Sequence, residues 1–286
     1  MKISDKFQKG KTTFSFEVFP PKNNSQLDSI ESAVAELSKL SPEFISVTYG
    51  AGGGTSDYTV RIASDIKNKY GVDTIAHLTC ISTPIKKIDE YIESLKANKI
   101  ENILALRGDR PPEAFVYSDG VYFEYASDLV RHINEKGDFC IAGACYPEGH
   151  TESKNLKEDI NHLKIKVNSG VEFLTTQLFY DNNAFYNFMD KIRKKGIELP
   201  VLAGIMPITS YSSIERTIKL SGTSIPAEVS SFISRYRDDP QSLLNAGMEY
   251  AFKQINELID YGVDGIHIYT MNKPFIAQQI VKECRD

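Results

Sequence analysis

Long apolar segments are missing from this sequence of 286 residues. It contains no run of about 18 or more apolar residues, which is the length that a membrane-spanning helix needs. Its N-terminal segment MKISDKFQKGKTT also lacks the apolar core of a signal peptide. We therefore expect a cytoplasmic protein without a membrane partner.

A basic excess is missing too, because the formal net charge is −5. Binding to a nucleic-acid backbone requires clustered Lys and Arg residues, so we expect no nucleic-acid partner. An anionic ligand would have to be met by a few local cationic groups.

Paired cysteines and metal-binding motifs are absent as well. Cys80, Cys140, Cys145 and Cys284 form no CxxC pair. Three of them lie in strand-like apolar segments, where a reduced, buried thiol is expected. The histidines form no HExxH or similar ligand pair, so we expect no metal site. The G-x-S-x-G elbow of α/β hydrolases is also missing, which argues against that class of enzyme.

Eight short β-branched or aromatic segments alternate with amphipathic segments of helical period, which is the pattern of successive βα units. The predicted strands cover 14–19, 44–50, 74–80, 102–108, 139–146, 173–179, 201–206 and 265–271. A count of eight favours a closed (β/α)8 TIM-type barrel of the α/β class over an open sheet. The long interval before the last strand contains 221–240, which predicts inserted helices there. We find no linker and predict one catalytic domain over residues 1–286.

Polar residues fall late in these strands, at the end where barrels of this type build their active sites. In the first strand, alternation places Phe14 and Phe16 against the helices and turns Glu17 into the barrel mouth. Partial burial there would favour the protonated carboxyl group, so Glu17 is a candidate proton donor. The alternative is a carboxylate held in a buried ion pair.

A glycine-rich segment, YGAGGGTS (49–56), includes the end of the second predicted strand. Its spacing fits neither the dinucleotide-binding G-x-G-x-x-G pattern nor a P-loop. We interpret it as a flexible loop beside the site.

Segments along most of the chain resemble the successive signatures of 5,10-methylenetetrahydrofolate reductases. They are FSFEVFPPKN (14–23), SVTYGAGG (46–53), HLTC (77–80), LALRGD (104–109), ACYPEGH (144–150), DINHLKIKVNSGVEF (159–173), TTQLFYD (175–181), GIMPI (204–208) and HIYTMNK (267–273). Each segment is short, but their joint order and spacing are highly specific. The resemblance implies a flavoprotein that binds FAD noncovalently, oxidises NADH or NADPH, and reduces methylenetetrahydrofolate to 5-methyltetrahydrofolate.

The same resemblance implies roles for individual residues. Glu17 matches the general acid, Asp109 a carboxylate near both flavin and folate, and Gln177 a residue that contacts folate or nicotinamide. The implied catalytic residues are thus Glu17 and Asp109, and the implied substrate-binding residues are Glu17, Asp109, Gln177 and Lys273. The positions that match the surroundings of FAD are Thr48, Tyr49, His77, Arg107, Gly108, Asp109, Tyr125, Ala126, Tyr146, His150, Asp159 and Lys166. Among these, Arg107, His150 and Lys166 would meet the pyrophosphate.

The sequence departs from the family pattern in several places. His162 and Ile165 stand where many relatives carry Asn and a basic residue, so we expect a lost ribose or phosphate contact and weaker FAD retention. Lys273 replaces an arginine, which keeps the charge but loses the bidentate fork. The segment 209–217 matches poorly. No residues follow the helix after the eighth strand, so we expect no regulatory domain and no control by S-adenosylmethionine. We also expect a homo-oligomer.

Two other classes stay open at this level. A different barrel enzyme, such as a pterin-binding transferase or a proline-type dehydrogenase, would share the fold. A noncatalytic scaffold would have no need of Glu17. A flavin spectrum that NADH bleaches and methylenetetrahydrofolate restores would separate these classes.

Overall fold

The computed structural model describes residues 1–21, 24–49, 56–110 and 120–285. Within these residues the strands are β1 (Thr13–Val18), β2 (Phe44–Val47), β3 (Thr74–Thr79), β4 (Asn102–Leu106), β5 (Cys140–Cys145), β6 (Phe173–Thr176), β7 (Val201–Ile205) and β8 (Gly265–Tyr269). Neighbouring strands are parallel in sequence order, and β8 pairs with β1, so the sheet closes into a barrel. The predicted (β/α)8 fold is confirmed.

Helices alternate with the strands around the outside of the barrel. In the described residues they are α1 (Leu27–Ser38), α2 (Ser56–Tyr70), α3 (Ile85–Ala97), α4 (Ala126–Lys136), α5 (Leu156–Asn168), α6 (Asn182–Lys194), α7 (Tyr211–Ser221), α8 (Ala227–Arg235), α9 (Pro240–Tyr261) and α10 (Pro274–Cys284). Three helices, α7 to α9, separate β7 from β8, which confirms the predicted insertion. Across the part of the chain that the structure describes, no helix has both the length and the apolar character needed to cross a bilayer.

The insertion ends in a helix with strong signals at both of its termini. The side chain of Asp239 accepts a hydrogen bond of 3.1 Å from the backbone N–H of Ser242, and Pro240 occupies the first turn of α9. Gly262 ends the helix with a φ of 87°, the left-handed conformation that glycine adopts without strain. These local signals end α9 directly before β8.

Alternate strand residues point outward to the helices and inward to the barrel axis. On β1, Phe14, Phe16 and Val18 are buried in one core cluster with Ile30 and Val34 of α1. Burying an apolar side chain of this size contributes about 1.5–3 kcal/mol relative to leaving it exposed. The predicted orientation of β1 is therefore confirmed, and Ser15 and Glu17 face the interior.

The N-terminal end of the barrel interior is filled by apolar side chains. Phe44 and Phe173 meet edge to face, with ring centroids 6.1 Å apart. A 3-10 helix, Ile3–Lys6, inserts the fully buried Ile3, whose backbone N–H donates a 2.8 Å hydrogen bond to Asn102 Oδ1. We call this cluster the barrel plug. It consists of Ile3, Phe44, Ile75, Leu104, Cys140, Ala142, Phe173 and Leu202.

Several strands are shorter at their C-terminal ends than predicted. β2 stops at Val47 rather than at residue 50, and β6 stops at Thr176 rather than at residue 179. Thr48 N–H and Gln177 N–H still donate to the neighbouring strands, but the ladders do not continue beyond them. The polar residues that follow turn toward the barrel mouth. Residues 50–55 of the glycine-rich segment lie outside the described residues.

The four cysteines are free thiols, and Cys80, Cys140 and Cys145 are buried. Burial raises the pKa of the Cys145 thiol to about 12, so this group stays protonated at neutral pH. The expectation that the three cysteines in strand-like segments are buried is confirmed.

Candidate active site

A polar cleft of about 580 Å³ lies at the C-terminal end of the barrel. The strands β1 to β6 and β8, or the residues that directly follow them, provide its walls. The lining residues are Glu17, Thr48, Tyr49, His77, Thr79, Ser82, Leu104, Leu106, Arg107, Gly108, Asp109, Arg110, Ala144, Tyr146, His150, Thr175, Thr176, Gln177, His267 and Tyr269. Polar groups from distant parts of the chain thus converge where the alternation of β1 predicts a site.

Glu17 lies between two buried imidazoles at the base of this cleft. His77 Nε2 is 3.6 Å from Glu17 Oε2, and His267 Nε2 is 3.8 Å from the same oxygen. Both distances exceed hydrogen-bond length, although they are short enough for strong electrostatic coupling. The Glu17 side chain keeps 19% of its surface exposed, so a ligand in the cleft can reach it. Among the described residues, no lysine or arginine pairs with this carboxyl group.

His77 is a neutral imidazole with an unused nitrogen. Burial lowers its pKa to about 4, and the nearby Glu17 carboxylate only partly opposes this shift. Its Nε2 atom is buried and has no hydrogen-bond partner among the described residues. Leaving such an atom unpaired costs about 1–3 kcal/mol, so a polar partner that arrives with a ligand would stabilise the site.

His267 is held beneath Glu17 by two serine hydroxyls. Ser15 Oγ lies 2.8 Å from His267 Nδ1, and Ser46 Oγ lies 3.3 Å from His267 Nε2. The imidazole stacks on Phe44 of the barrel plug, with ring centroids 5.7 Å apart. This ring therefore joins the apolar plug to the polar cleft and has a fixed orientation.

Tyr269 is fixed beside the same imidazole. Its hydroxyl donates a 2.7 Å hydrogen bond to the carbonyl oxygen of Thr176, and its ring meets His267 edge to face at 5.4 Å. Gly204 makes room for this arrangement, because a Cβ there would lie 2.7 Å from the Tyr269 hydroxyl and 2.4 Å from the Thr176 carbonyl. Burial raises the pKa of Tyr269 well above its ordinary value, so the phenol keeps its proton.

The loop after β8 holds the chain where it leaves Glu17. The Thr270 hydroxyl donates a 2.7 Å hydrogen bond to the Glu17 carbonyl oxygen. The Asn272 side chain accepts from Phe19 N–H at 3.0 Å and donates to the Phe19 carbonyl at 2.9 Å. Met271 and Asn272 have φ values of 52° and 56°, which cost non-glycine residues on the order of 1–3 kcal/mol each. The turn keeps this strained shape while its hydrogen bonds fix the backbone around Glu17.

Arg107 and Arg110 form what we call the cationic wall of the cleft, and His150 lies beside them. Arg107 Nη1 and Nη2 donate to the two carboxylate oxygens of Glu152 at 2.9 and 2.6 Å, and Arg110 Nε donates to Glu152 Oε2 at 2.8 Å. The hydrogen bonds from Arg107, followed by those from Arg110, lower the pKa of Glu152 to about 2. Burial, helped by Arg107, lowers the pKa of His150, so its imidazole is neutral at pH 7.

Most of the site residues proposed from the sequence line this cleft. They are Glu17, Thr48, Tyr49, His77, Arg107, Gly108, Asp109, Tyr146, His150 and Gln177. The remaining five, which do not line it, are Tyr125, Ala126, Asp159, Lys166 and Lys273. The structure brings the first group together, while the roles assigned to both groups stay predictions.

Two of the five residues lie behind the cleft wall. Asp159 is buried and accepts a 3.0 Å hydrogen bond from Ser153 Oγ. Lys166 Nζ donates to the backbone carbonyl of Ala144, and burial lowers its pKa. Lys166 therefore binds the barrel backbone and does not line the cleft.

The other three residues lie farther toward the surface. Tyr125 is half exposed and directly precedes α4, where Ala126 is the first helical residue. Lys273 is exposed and directly precedes α10, with its Nζ 3.5 Å from Thr209 Oγ1. Contacts from these residues would therefore involve the outer parts of a ligand.

Sequence reasoning missed several residues that the fold brings to the cleft. They are Ser82, Arg110, Thr175, Thr176 and His267, with Glu152 bound to the cationic wall. Strand alternation predicts that Thr175 and His267 point inward, because each lies two positions from another inward residue. Arg110 and Glu152 lie in loops, where no periodicity indicates the direction of a side chain.

Comparison with known sequences supports one family. The family model for methylenetetrahydrofolate reductase matches residues 2–285. Methylenetetrahydrofolate reductase (NADH) 1 of Arabidopsis thaliana is 38% identical over 289 residues, which cover 95% of this chain and 49% of that relative. The 5,10-methylenetetrahydrofolate reductase of Escherichia coli (strain K12) is 34% identical over 271 residues, which cover 95% of this chain and 90% of that relative. The chain thus spans about half the length of the plant relative and most of the bacterial one.

Solved structures match the fold at low sequence identity. An uncharacterised Clostridium thermocellum protein that binds two copies of 5-methyl-5,6,7,8-tetrahydrofolic acid superposes with a TM-score of 0.67 at 15% identity, over 96% of this chain and 94% of that protein. Tryptophan synthase from M. tuberculosis superposes with a TM-score of 0.56 at 11% identity, over 97% of this chain and 94% of that chain. At these identities the likeness shows the barrel fold alone.

Proposed function

This chain belongs to the methylenetetrahydrofolate reductase family, and we propose that it reduces 5,10-methylenetetrahydrofolate to 5-methyltetrahydrofolate with a hydride that NADH or NADPH supplies through bound FAD. The observation that carries this proposal is the position of Glu17. Its carboxyl group is accessible from a polar cleft, is free of any lysine or arginine partner among the described residues, and lies between two buried imidazoles. A scaffold protein would gain nothing from such a group.

The residues of the cleft fit a flavin dinucleotide on two observations. The buried Nε2 atom of His77 has no hydrogen-bond partner within the described ranges, and the polar edge of a flavin ring would supply one. The guanidinium groups of Arg107 and Arg110 suit phosphate oxygens. When bound, FAD supplies the relay of hydride from NAD(P)H to the folate. The residues proposed to hold it are Thr48, Tyr49, His77, Arg107, Gly108, Asp109, Tyr125, Ala126, Tyr146, His150, Asp159 and Lys166.

The reaction also needs a proton, because one C–N bond of the methylene bridge breaks and the departing nitrogen must be protonated. We assign this proton to the Glu17 carboxyl group, with His77 and His267 beside its Oε2 atom. The hydrogen bond from Thr270 to the Glu17 carbonyl holds the backbone while the proton moves.

The folate is proposed to lie among Glu17, Asp109 and Gln177, with Lys273 at the outer end of the site. The first three residues line the same cleft, which supports this placement. Because one cleft contains both the acid and the cationic wall, we propose that the two substrates use it in turn. NAD(P)H would leave before the folate enters, which is a ping-pong cycle.

An anaerobic reduction experiment tests this function. Purified protein is loaded with FAD, reduced with NADH, and then mixed with methylenetetrahydrofolate while the flavin absorbance is followed. We expect bleaching, then recovery of the absorbance, with 5-methyltetrahydrofolate as the product. A protein that takes up no FAD, or a reduced flavin that methylenetetrahydrofolate does not reoxidise, would contradict the proposal.

A further inference from the structure

We propose that the Glu152 carboxylate is an internal competitor for the cationic wall. In the unliganded protein it would occupy the guanidinium groups that phosphate oxygens need. It would thereby weaken the binding of phosphate-bearing flavins and leave the binding of phosphate-free flavins unchanged. This inference rests on the proposed function for the identity of the flavin ligand. The observation behind it, the binding of the Glu152 carboxylate to Arg107 and Arg110, does not depend on that function.

The Glu152 carboxylate engages both guanidinium groups of the cationic wall. Arg107 uses both terminal nitrogens in a fork of 2.9 and 2.6 Å, and Arg110 adds its Nε at 2.8 Å. A bidentate fork of this kind is the geometry with which arginine also binds phosphate oxygens. The carboxylate therefore takes the directional donors that an anionic ligand in the cleft would use.

The charge of this cluster favours exchange with a phosphate ligand. Two guanidinium groups face one carboxylate, and guanidinium groups do not lose their protons in proteins. Because the Arg107 hydrogen bonds lower the pKa of Glu152 to about 2, the carboxylate stays anionic at neutral pH. A pyrophosphate group carries more negative charge than one carboxylate and can replace it without leaving either arginine unpaired.

The position of Glu152 allows it to leave. It lies in the turn between β5 and α5, and its side chain is 38% exposed. Water competes for a carboxylate that is this exposed, so the ion pair stabilises the fold less than a buried pair would. Arg107, by contrast, is 17% exposed and lines the cleft, so it stays in place for the ligand. Movement of Glu152 would thus leave its carboxylate in water and would open the cationic wall.

The opposite role for Glu152 would be to orient Arg107 for the ligand. Under that role, replacement of the carboxylate would weaken binding of phosphate-bearing ligands. Under competition, the same replacement would strengthen it. The sign of one affinity change therefore separates the two roles.

The test compares the wild-type protein with Glu152→Gln, which keeps the shape of the side chain and removes its charge. The matched control is Glu228→Gln, which removes the glutamate of an exposed 2.9 Å pair with Lys253. Dissociation constants for FAD, riboflavin and inorganic pyrophosphate are measured by titration calorimetry on flavin-free protein at low salt. Riboflavin carries the ring system without phosphates.

We expect Glu152→Gln to bind FAD and pyrophosphate about three- to tenfold more tightly than wild type, with the gain shrinking at high salt. Riboflavin affinity and the Glu228→Gln control should stay unchanged. Pyrophosphate that binds no tighter to Glu152→Gln, or that binds to neither protein, would overturn the proposal. If pyrophosphate favours Glu152→Gln but FAD binds to neither protein, the competition stands and the proposed function is wrong.

Discussion

The two ends of the barrel interior use the same strands for opposite purposes. On β3, Ile75 belongs to the barrel plug and His77 lines the cleft, and on β6 the same relation holds for Phe173 and Thr175. Two residues along a strand span about 6–7 Å. On these strands, the inward residue nearer the N-terminal end packs in the plug, and the next inward residue lines the cleft. The position along the strand therefore decides which role a residue has.

The two ends also differ in how completely their polar groups are paired. In the plug, the Ile3 backbone N–H is bonded to Asn102 at 2.8 Å. In the cleft, His77 Nε2 has no partner among the described residues, and the Glu17 carboxyl group has contacts longer than hydrogen bonds. We conclude that substitutions in the plug should change stability, while substitutions in the cleft should change ligand binding and catalysis.

The largest expected effect follows from Glu17→Gln. Removal of the proton donor should lower turnover of methylenetetrahydrofolate by about 10²- to 10⁴-fold, because this is the usual contribution of a general acid. The midpoint of thermal unfolding should change little, since the side chain has no hydrogen bond within the described residues that the substitution breaks. Steady-state assays and a thermal melt check both parts. Turnover within threefold of wild type would contradict the assignment.

The opposite result is expected for Phe173→Ala in the plug. Loss of this fully buried ring should lower the free energy of unfolding by about 3–5 kcal/mol. The folded fraction should keep its turnover number, measured at a temperature well below unfolding. Phe275→Ala removes a more exposed ring and is the control, with an expected change of about 0.5 kcal/mol. Equal costs for the two substitutions would refute the distinction between plug and surface.

A pH series tests the neutral imidazole of the cleft. The pKa of His77 is about 4 in the folded protein against an ordinary value of 6.5, because the ring is buried. As the pH falls through 6.5, only the unfolded protein binds a proton at this ring, so folding loses up to about 3 kcal/mol by pH 4. His77→Gln should lose less stability over that window than wild type, as measured by urea unfolding. The exposed His162→Gln should follow wild type. Parallel curves for His77→Gln and wild type would contradict a buried neutral ring.

The smallest expected effects come from a pair of matched threonines. Thr270→Val removes the hydroxyl bonded to the Glu17 carbonyl, and Thr74→Val removes one bonded to the Ile45 carbonyl at 3.0 Å near the other end of the barrel. Each should cost about 1–3 kcal/mol of stability, because a buried acceptor loses its donor. Only Thr270→Val should also slow methylenetetrahydrofolate turnover. A similar loss of turnover in Thr74→Val would remove the contrast between the two ends.

The count of eight βα units predicted the barrel, and residue alternation within the first strand predicted the direction of Glu17. Alternation in the eighth strand also contained the direction of His267, yet it did not show which group this ring would meet. Barrel closure decides that, because it pairs β8 with β1 and places Ser15 beside His267. The bond between Glu152 and the cationic wall depends on loop conformation, which periodicity does not describe. The predicted strand ends ran too far because β-branched, aromatic or apolar residues, Thr48 and Tyr49 after β2 and Leu178 and Phe179 after β6, continue the strand composition after the ladders stop.

The most direct test of the central claim measures the two half-reactions of Glu17→Gln separately by anaerobic rapid mixing with FAD-loaded protein. We expect NADH to reduce the flavin at a rate within a few-fold of wild type. Reoxidation by methylenetetrahydrofolate should slow by about 10²- to 10⁴-fold, because only this half-reaction needs the proton. Equal slowing of both half-reactions would contradict the assignment of Glu17 as the acid of the folate step.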